Sequence, residues 1–110
     1  NDVILLYPIP EIGVNLQKEK FENMVRVFKY KYSTFLRQNK EVINLFDNIN
    51  IPRVHKVYSY KAFCNIKIDL CTTHDDNNFF FFDGYHPSLE GTKMINNLVI
   101  KKINQLENKQ

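Results

Sequence analysis

The sequence predicts a domain of the α/β class, built as one portion of a three-layer, doubly wound parallel sheet. Two runs rich in apolar and β-branched residues, 3–7 and 53–59, have the character of strands, and a segment with helical periodicity separates them. Strand, helix and strand in this order form a parallel crossover. A complete doubly wound sheet has about five strands. We therefore expect residues 1–110 to form a single, partial domain.

The first strand is the continuous apolar run from Val3 to Tyr7, closed by Pro8-Ile9-Pro10. Without polar alternation, such a run indicates a strand buried on both faces, as in parallel sheets. Glu11 follows at the edge where α/β folds bind ligands, which makes it a candidate substrate-binding residue. An ordinary turn carboxylate explains Glu11 equally well.

The helical segment extends from about Leu16 to Phe46, where apolar residues recur at steps of three and four. It predicts one long helix, or two helices with a break near Gln38-Asn39. The second strand, Arg53 to Ser59, follows, and we interpret His55 within it as structural. A last helix starts near Pro87 or Ser88, with an inner face formed by Ile95, Leu98, Val99, Ile103 and Leu106.

Composition and charge argue against several classes of protein. The net charge of +3 is spread along the whole chain, and a helix with one solvated face explains its densest basic stretch, so no nucleic-acid partner is expected. The longest apolar runs fall far short of the roughly 20 residues that span a bilayer. No signal peptide is recognisable at Asn1, so secretion or membrane attachment would have to be encoded upstream.

The segment from Phe82 to Gly91 carries the clearest chemical signal. A histidine that acts as general base is usually held in one tautomer by a carboxylate, and Asp83 precedes His86 by three residues. Gly84 permits the sharp turn that this contact needs. The alternative is a polar loop in which Asp83 only caps the following helix.

A metal site is a weaker hypothesis for the same region. His74, Asp75, Asp76, Asp83 and His86 have the chemistry of metal ligands, but their spacing matches no familiar site. We expect neither a metal nor a cofactor, and interpret residues 74–78 as a polar surface loop.

The pattern Asp-x-x-His-Pro-Ser-x-x-Gly before a final helix resembles the last conserved block of the SGNH (GDSL-type) hydrolases. The Pro-x-Pro-Glu segment after the first strand and the cysteine-containing loop resemble the C-terminal half of SGNH domains fused to acyltransferase-three type membrane O-acyltransferases. This resemblance covers nearly the whole chain. It implies a flavodoxin-like sheet, of which the chain supplies the C-terminal portion.

The resemblance also implies roles for individual residues. Asp83 would orient His86, and His86 would be the general base for a serine from a Gly-Asp-Ser block. That block is absent, because the only serines are Ser33, Ser59 and Ser88 and none follows Gly-Asp. We therefore expect the isolated chain to be inactive.

Cys64 and Cys71 are the only cysteines. By themselves they would be free thiols in the cytosol or a disulfide in an oxidising compartment. The similar domains face the periplasm and often carry a cysteine pair here, so the resemblance favours a disulfide and an extracytoplasmic location.

The sequence thus predicts part of an acyl-transfer or esterase domain from a membrane acyltransferase that acylates cell-surface sugars. Its partners would be an acyl donor and a surface glycan, with membrane contact only through an upstream region and possible self-association of the fragment. The alternatives are a free-standing secreted esterase of the same fold and a non-catalytic glycan- or partner-binding α/β module. The coding sequence upstream of Asn1 discriminates among the three.

Overall fold

The computed structural model describes residues 1–16 and 28–108. Strand β1 (Val3–Leu6) pairs in parallel with strand β2 (Val54–Val57), with Val3 opposite Val54. Two helices, α1 (Tyr32–Gln38) and α2 (Lys40–Asp47), precede β2 in the chain. The α/β class and the parallel pairing of the two predicted strands are therefore confirmed.

The predicted break between two helices lies at Asn39. Its backbone N–H and its side-chain amide both donate to the Phe35 carbonyl at 3.0 Å, which ends α1. A helix continuing from Leu16 is wrong for residues 28–31, which are not helical. There the Tyr30 carbonyl accepts a hydrogen bond from the Cys71 N–H at 2.8 Å, forming an antiparallel bridge. The remainder of the predicted segment, 17–27, lies outside the described residues.

A small antiparallel hairpin occupies the predicted cysteine loop. Strand β2 is shorter than expected because a 3-10 helix begins at Ser59 and extends to Ala62. Strands β3 (Cys64–Asn65) and β4 (Leu70–Cys71) follow and pair with each other. The cysteine segment is therefore an ordered hairpin that follows β2 after the short 3-10 helix.

The hairpin also caps helix α1. The N-cap residue of α1, Lys31, makes no side-chain cap bond. Instead, the Asp69 carboxylate accepts from the Ser33 N–H at 2.7 Å and from the Ser33 hydroxyl at 2.9 Å. Since the first N–H groups of a helix have no partner within the helix, Asp69 satisfies one of them from a distant segment.

Aromatic rings form much of the core. Tyr7, 2% exposed, lies with its ring centroid 4.6 Å from that of Tyr58 and 5.4 Å from that of Phe46. In a second group, the ring centroid of Phe63 lies 5.1 Å from that of Phe81, two residues before Asp83. The predicted site thus begins two residues after the buried rings of Phe80 and Phe81.

Several apolar faces are more exposed than the sequence indicates. Val3 is 53% exposed and Leu6 is 47% exposed, so the expectation that β1 is buried on both faces is wrong. The reason is that β1 and β2 form a sheet of only two strands among the described residues. On the last helix, α3 (Leu89–Glu107), the other predicted inner residues are partly buried, but Ile103 is 40% exposed.

Candidate active site

The loop that carries Asp83 and His86 is closed by its own hydrogen bonds. The Phe82 N–H donates to the His86 carbonyl at 2.8 Å, across the base of the loop. Inside it, one Asp83 carboxylate oxygen accepts from the Tyr85 N–H at 2.7 Å and from the His86 N–H at 2.8 Å. Such a turn is local in sequence, because an Asp side chain readily accepts from amides two and three residues later.

The Asp83 carboxylate also lies against the His86 ring. Nδ1 of His86 is 3.0 Å from Oδ2 and 3.1 Å from Oδ1 of Asp83. The His86 side chain is 73% exposed and that of Asp83 is 32% exposed. Nε2 lies on the far side of the ring from Nδ1, and it has no hydrogen-bond partner among residues 1–16 and 28–108. The ring is thus oriented through one nitrogen and accessible through the other.

The hydrogen bonds around Asp83 stabilise its ionised form. They hold the pKa of its carboxyl below the ordinary value, first through the Tyr85 N–H and then through the His86 side chain. An ionised carboxylate accepts from Nδ1–H and therefore selects the tautomer in which Nε2 carries the lone pair. That tautomer is the one a general base needs.

Ser88, and not Asp83, caps helix α3. The Ser88 hydroxyl oxygen accepts from the Gly91 N–H at 3.1 Å, and the hydroxyl donates to the Phe79 carbonyl at 2.6 Å. Asp83 therefore does not cap the helix, although it does accept from the free amides of its own loop, as the alternative also expects. A Cβ on Gly91 would collide with the Phe80 carbonyl oxygen, so the first turn of α3 lies directly on the phenylalanine segment.

Glu11 lies in the segment after β1, as expected, and is exposed. Burial raises the pKa of the Tyr30 hydroxyl, and the charge of Glu11 raises it further. Two residues beyond Glu11, the Gly13 N–H donates to the Gly84 carbonyl at 2.9 Å. The segment after β1 therefore contacts the Asp83–His86 loop through its backbone, while a substrate-binding role for Glu11 stays a prediction.

The two cysteines, the other two histidines and Asp75 have hydrogen-bond or disulfide partners other than Asp83 and His86. Cys64 and Cys71 form a disulfide across the hairpin. Nδ1 of His74 lies 2.8 Å from the Thr73 hydroxyl, and the Asp75 carboxylate accepts from backbone amides of its own loop. Nε2 of His55 lies 3.0 Å from the Asp2 carboxylate. The His86 ring contacts Asp83, and each of the other two histidines has a different partner.

Gly13 is the site-forming residue that sequence reasoning missed. It has a φ of +75°, a backbone conformation that favours glycine, and its N–H contacts the loop of the candidate site. The position of this glycine just beyond a strand end was the available signal, but its partner Gly84 is distant in the sequence. No local pattern connects the two.

The chain has a parallel strand–helix–strand unit, and its last helix, α3, follows the Asp83–His86 loop. This arrangement is the one expected of an SGNH-type α/β domain. The family model for SGNH domains fused to AT3 domains matches residues 1–101, and the chain belongs to this family. It is therefore an acyltransferase-associated SGNH module. No curated protein and no solved structure matches the chain. Over the described ranges 1–16 and 28–108, no helix has both the length and the apolar character to cross a membrane.

Proposed function

We propose that this chain supplies the Asp and His of a Ser-His-Asp triad in an acyl-transfer domain. The observation that carries the proposal is the His86 ring, whose Nδ1 lies 3.0 Å from the Asp83 carboxylate while the side chain is 73% exposed. A buried histidine would be inaccessible to a nucleophile, and an unpaired one would lack a fixed tautomer. His86 has both the access and the orientation.

In the proposed mechanism, a serine hydroxyl hydrogen-bonded to Nε2 of His86 attacks the acyl carbonyl carbon. His86 takes the proton as the C–O bond forms and returns it to the leaving group, while Asp83 stabilises the imidazolium. The acyl group is then transferred from the serine ester to an acceptor hydroxyl or to water.

The serine of this mechanism lies outside the sequence described. Each of the three serines present has a structural role. Ser33 is hydrogen-bonded to Asp69 near the start of α1, Ser59 is 1% exposed, and Ser88 caps α3. These positions support a nucleophile on another segment of the parent protein, whose strands would extend the two-stranded sheet into a doubly wound one.

The parent protein in this proposal is a membrane O-acyltransferase that acylates cell-surface sugars. The family of SGNH domains fused to AT3 domains supports an acyltransferase association. The disulfide between Cys64 and Cys71 supports a location on the extracytoplasmic side, since disulfides persist in oxidising compartments. The acyl donor and the glycan acceptor would be bound together with the serine-bearing segment.

Two measurements test this proposal. The purified chain alone should not hydrolyse p-nitrophenyl acetate, and His86→Ala should not change its background rate. In a protein that joins the chain to a Gly-Asp-Ser segment, His86→Ala and Asp83→Asn should each lower kcat by about 10³- to 10⁴-fold. The matched control is His74→Ala, which should leave kcat unchanged.

Three results would contradict the proposal. Ester turnover by the chain alone that disappears in His86→Ala would mean that a nucleophile is already present. Full activity of the joined protein after His86→Ala would exclude the triad. A coding sequence upstream of Asn1 that lacks both membrane spans and Gly-Asp-Ser would favour a binding module instead.

A further inference from the structure

The Asp83–His86 loop has one backbone contact to a remote segment that its own short-range bonds do not explain. Gly84 is buried although the residues that follow it, Tyr85 and His86, are exposed. Its carbonyl accepts from the Gly13 N–H at 2.9 Å, so the buried part of the loop faces the segment after β1.

The approach of the two backbones is close enough to exclude any side chain at position 84. A Cβ there would lie 2.8 Å from the Gly13 carbonyl carbon, 2.9 Å from the Val14 nitrogen and 3.0 Å from the Gly13 Cα. All three obstructing atoms are backbone, so no rotamer change makes room. Glycine is therefore required at position 84 for space.

Gly13 is required for a different reason. A Cβ at this position would meet nothing within 4 Å, but the residue has a φ of +75°. Side chains other than those of asparagine and aspartate rarely adopt this conformation. The conformation places the Gly13 N–H at hydrogen-bonding distance from the Gly84 carbonyl, which connects the segment after β1 to the loop.

We infer that Gly13 and Gly84 are positioning residues that hold the loop in the turn in which the Asp83 carboxylate reaches Nδ1 of His86. The hydrogen bonds inside the loop close this turn, and the Gly13–Gly84 contact holds the closed turn against the segment after β1. The inference rests on the proposed function, since it concerns the geometry of the proposed triad. Its test measures that geometry and not activity. The inference can therefore fail while the proposed function stands, and the proposed function can fail while the inference stands.

The experiment is an NMR measurement of imidazole ¹⁵N shifts on the labelled chain, at a pH where the rings are neutral. The chain has three histidines, and the other two serve as internal controls because they lie against Thr73 and Asp2. We expect His86 to show the Nδ1–H tautomer, since Nδ1 faces a carboxylate. Asp83→Asn provides the reference for a loss of that orientation.

In Gly84→Ala, we expect His86 to lose its Nδ1–H signature while the signals of His55 and His74 stay unchanged. Gly13→Asn, which tolerates positive φ, should retain the signature, and Gly13→Ala should lose much of it. An unchanged His86 in Gly84→Ala would overturn the inference.

If Gly84→Ala alters all three histidines, Gly13→Ala decides, because its methyl group meets no atom within 4 Å. A change confined to His86 then supports the inference, and an unchanged His86 overturns it.

Discussion

Asp83 accepts three hydrogen bonds, from two backbone amides and from the His86 ring. The hydrogen bonds from the backbone amides form whenever the loop has its turn conformation. The contact with the ring requires in addition that His86 adopt one rotamer. The residue therefore has two linked roles, closing the turn and orienting the imidazole. Because both interactions favour the charged carboxylate, they act together at neutral pH.

A carbon-detected NMR titration of Asp83 should give a midpoint below the model-peptide value of 3.8. The folded pKa is depressed, so the contribution of this carboxylate to stability is present above the unfolded pKa and is lost as pH falls through the folded one. His86→Ala should raise the midpoint only in part, since the Tyr85 N–H is the larger cause and remains.

The Asp2 carboxyl is the matched control for this titration. Its pKa is also lowered, first by its hydrogen bond to His55. His55→Ala should therefore raise the Asp2 midpoint and leave that of Asp83 unchanged, and His86→Ala should do the reverse. A wild-type Asp83 midpoint at or above 3.8 would show that, in solution, the carboxylate does not accept hydrogen bonds from the loop amides and the His86 imidazole.

At the scale of elements, the cap on α1 by Asp69 predicts the effect of one substitution. Asp69→Ala removes the acceptor of the Ser33 N–H and places a methyl group at a φ of 53°. We expect a loss of about 1–2 kcal/mol in the free energy of unfolding, measured by urea denaturation. Asp69→Asn keeps an acceptor and tolerates this φ, so it should lose clearly less. Equal losses in the two variants would contradict the cap.

The disulfide between Cys64 and Cys71 closes the same hairpin. Titration of the unfolded chain without reductant should detect no free thiol. Because the bond restricts the unfolded chain, replacing both cysteines by alanine should lower the free energy of unfolding by about 2–3 kcal/mol. Two free thiols in protein from an oxidising compartment would contradict the pairing.

The elements differ in how far the sequence could predict them. The break at Asn39 and the start of α3 at Ser88 depend on side chains that bond to nearby backbone, so local sequence was sufficient. Residues 28–31 continue a helical spacing, but the Tyr30 carbonyl pairs with a strand far along the chain. The Asp83–His86 contact spans three residues and was predictable, whereas Gly13–Gly84 depends on the tertiary fold.

At the scale of the whole molecule, the two-stranded sheet leaves strand edges without partners among the described residues. Val3 and Leu6 on β1 are 53% and 47% exposed, and Ile100 on α3 is 54% exposed. Exposed strand edges with apolar side chains favour association with another chain. The sequence could predict this exposure, since the doubly wound sheet that it predicts would need about five strands.

We therefore expect the chain studied alone to self-associate, with an apparent mass by light scattering that rises with concentration. Val3→Lys should reduce the association, because a charge on an edge strand opposes strand pairing. Ile66→Lys is the control, since Ile66 is 71% exposed but lies outside β1 and α3. A monomer at all concentrations would contradict the partial-domain interpretation and favour a self-sufficient binding module.

The close approach of Gly84 to the Gly13 backbone also constrains how the sequence can evolve. Most steric conflicts in a protein can be relieved by a smaller side chain at the neighbouring position. Here the neighbour is already glycine and the obstructing atoms belong to the main chain, so no second substitution compensates for the first. A side chain at position 84 therefore requires a shift of the main chain in the segment after β1, which a change of residue type at the neighbouring position does not supply.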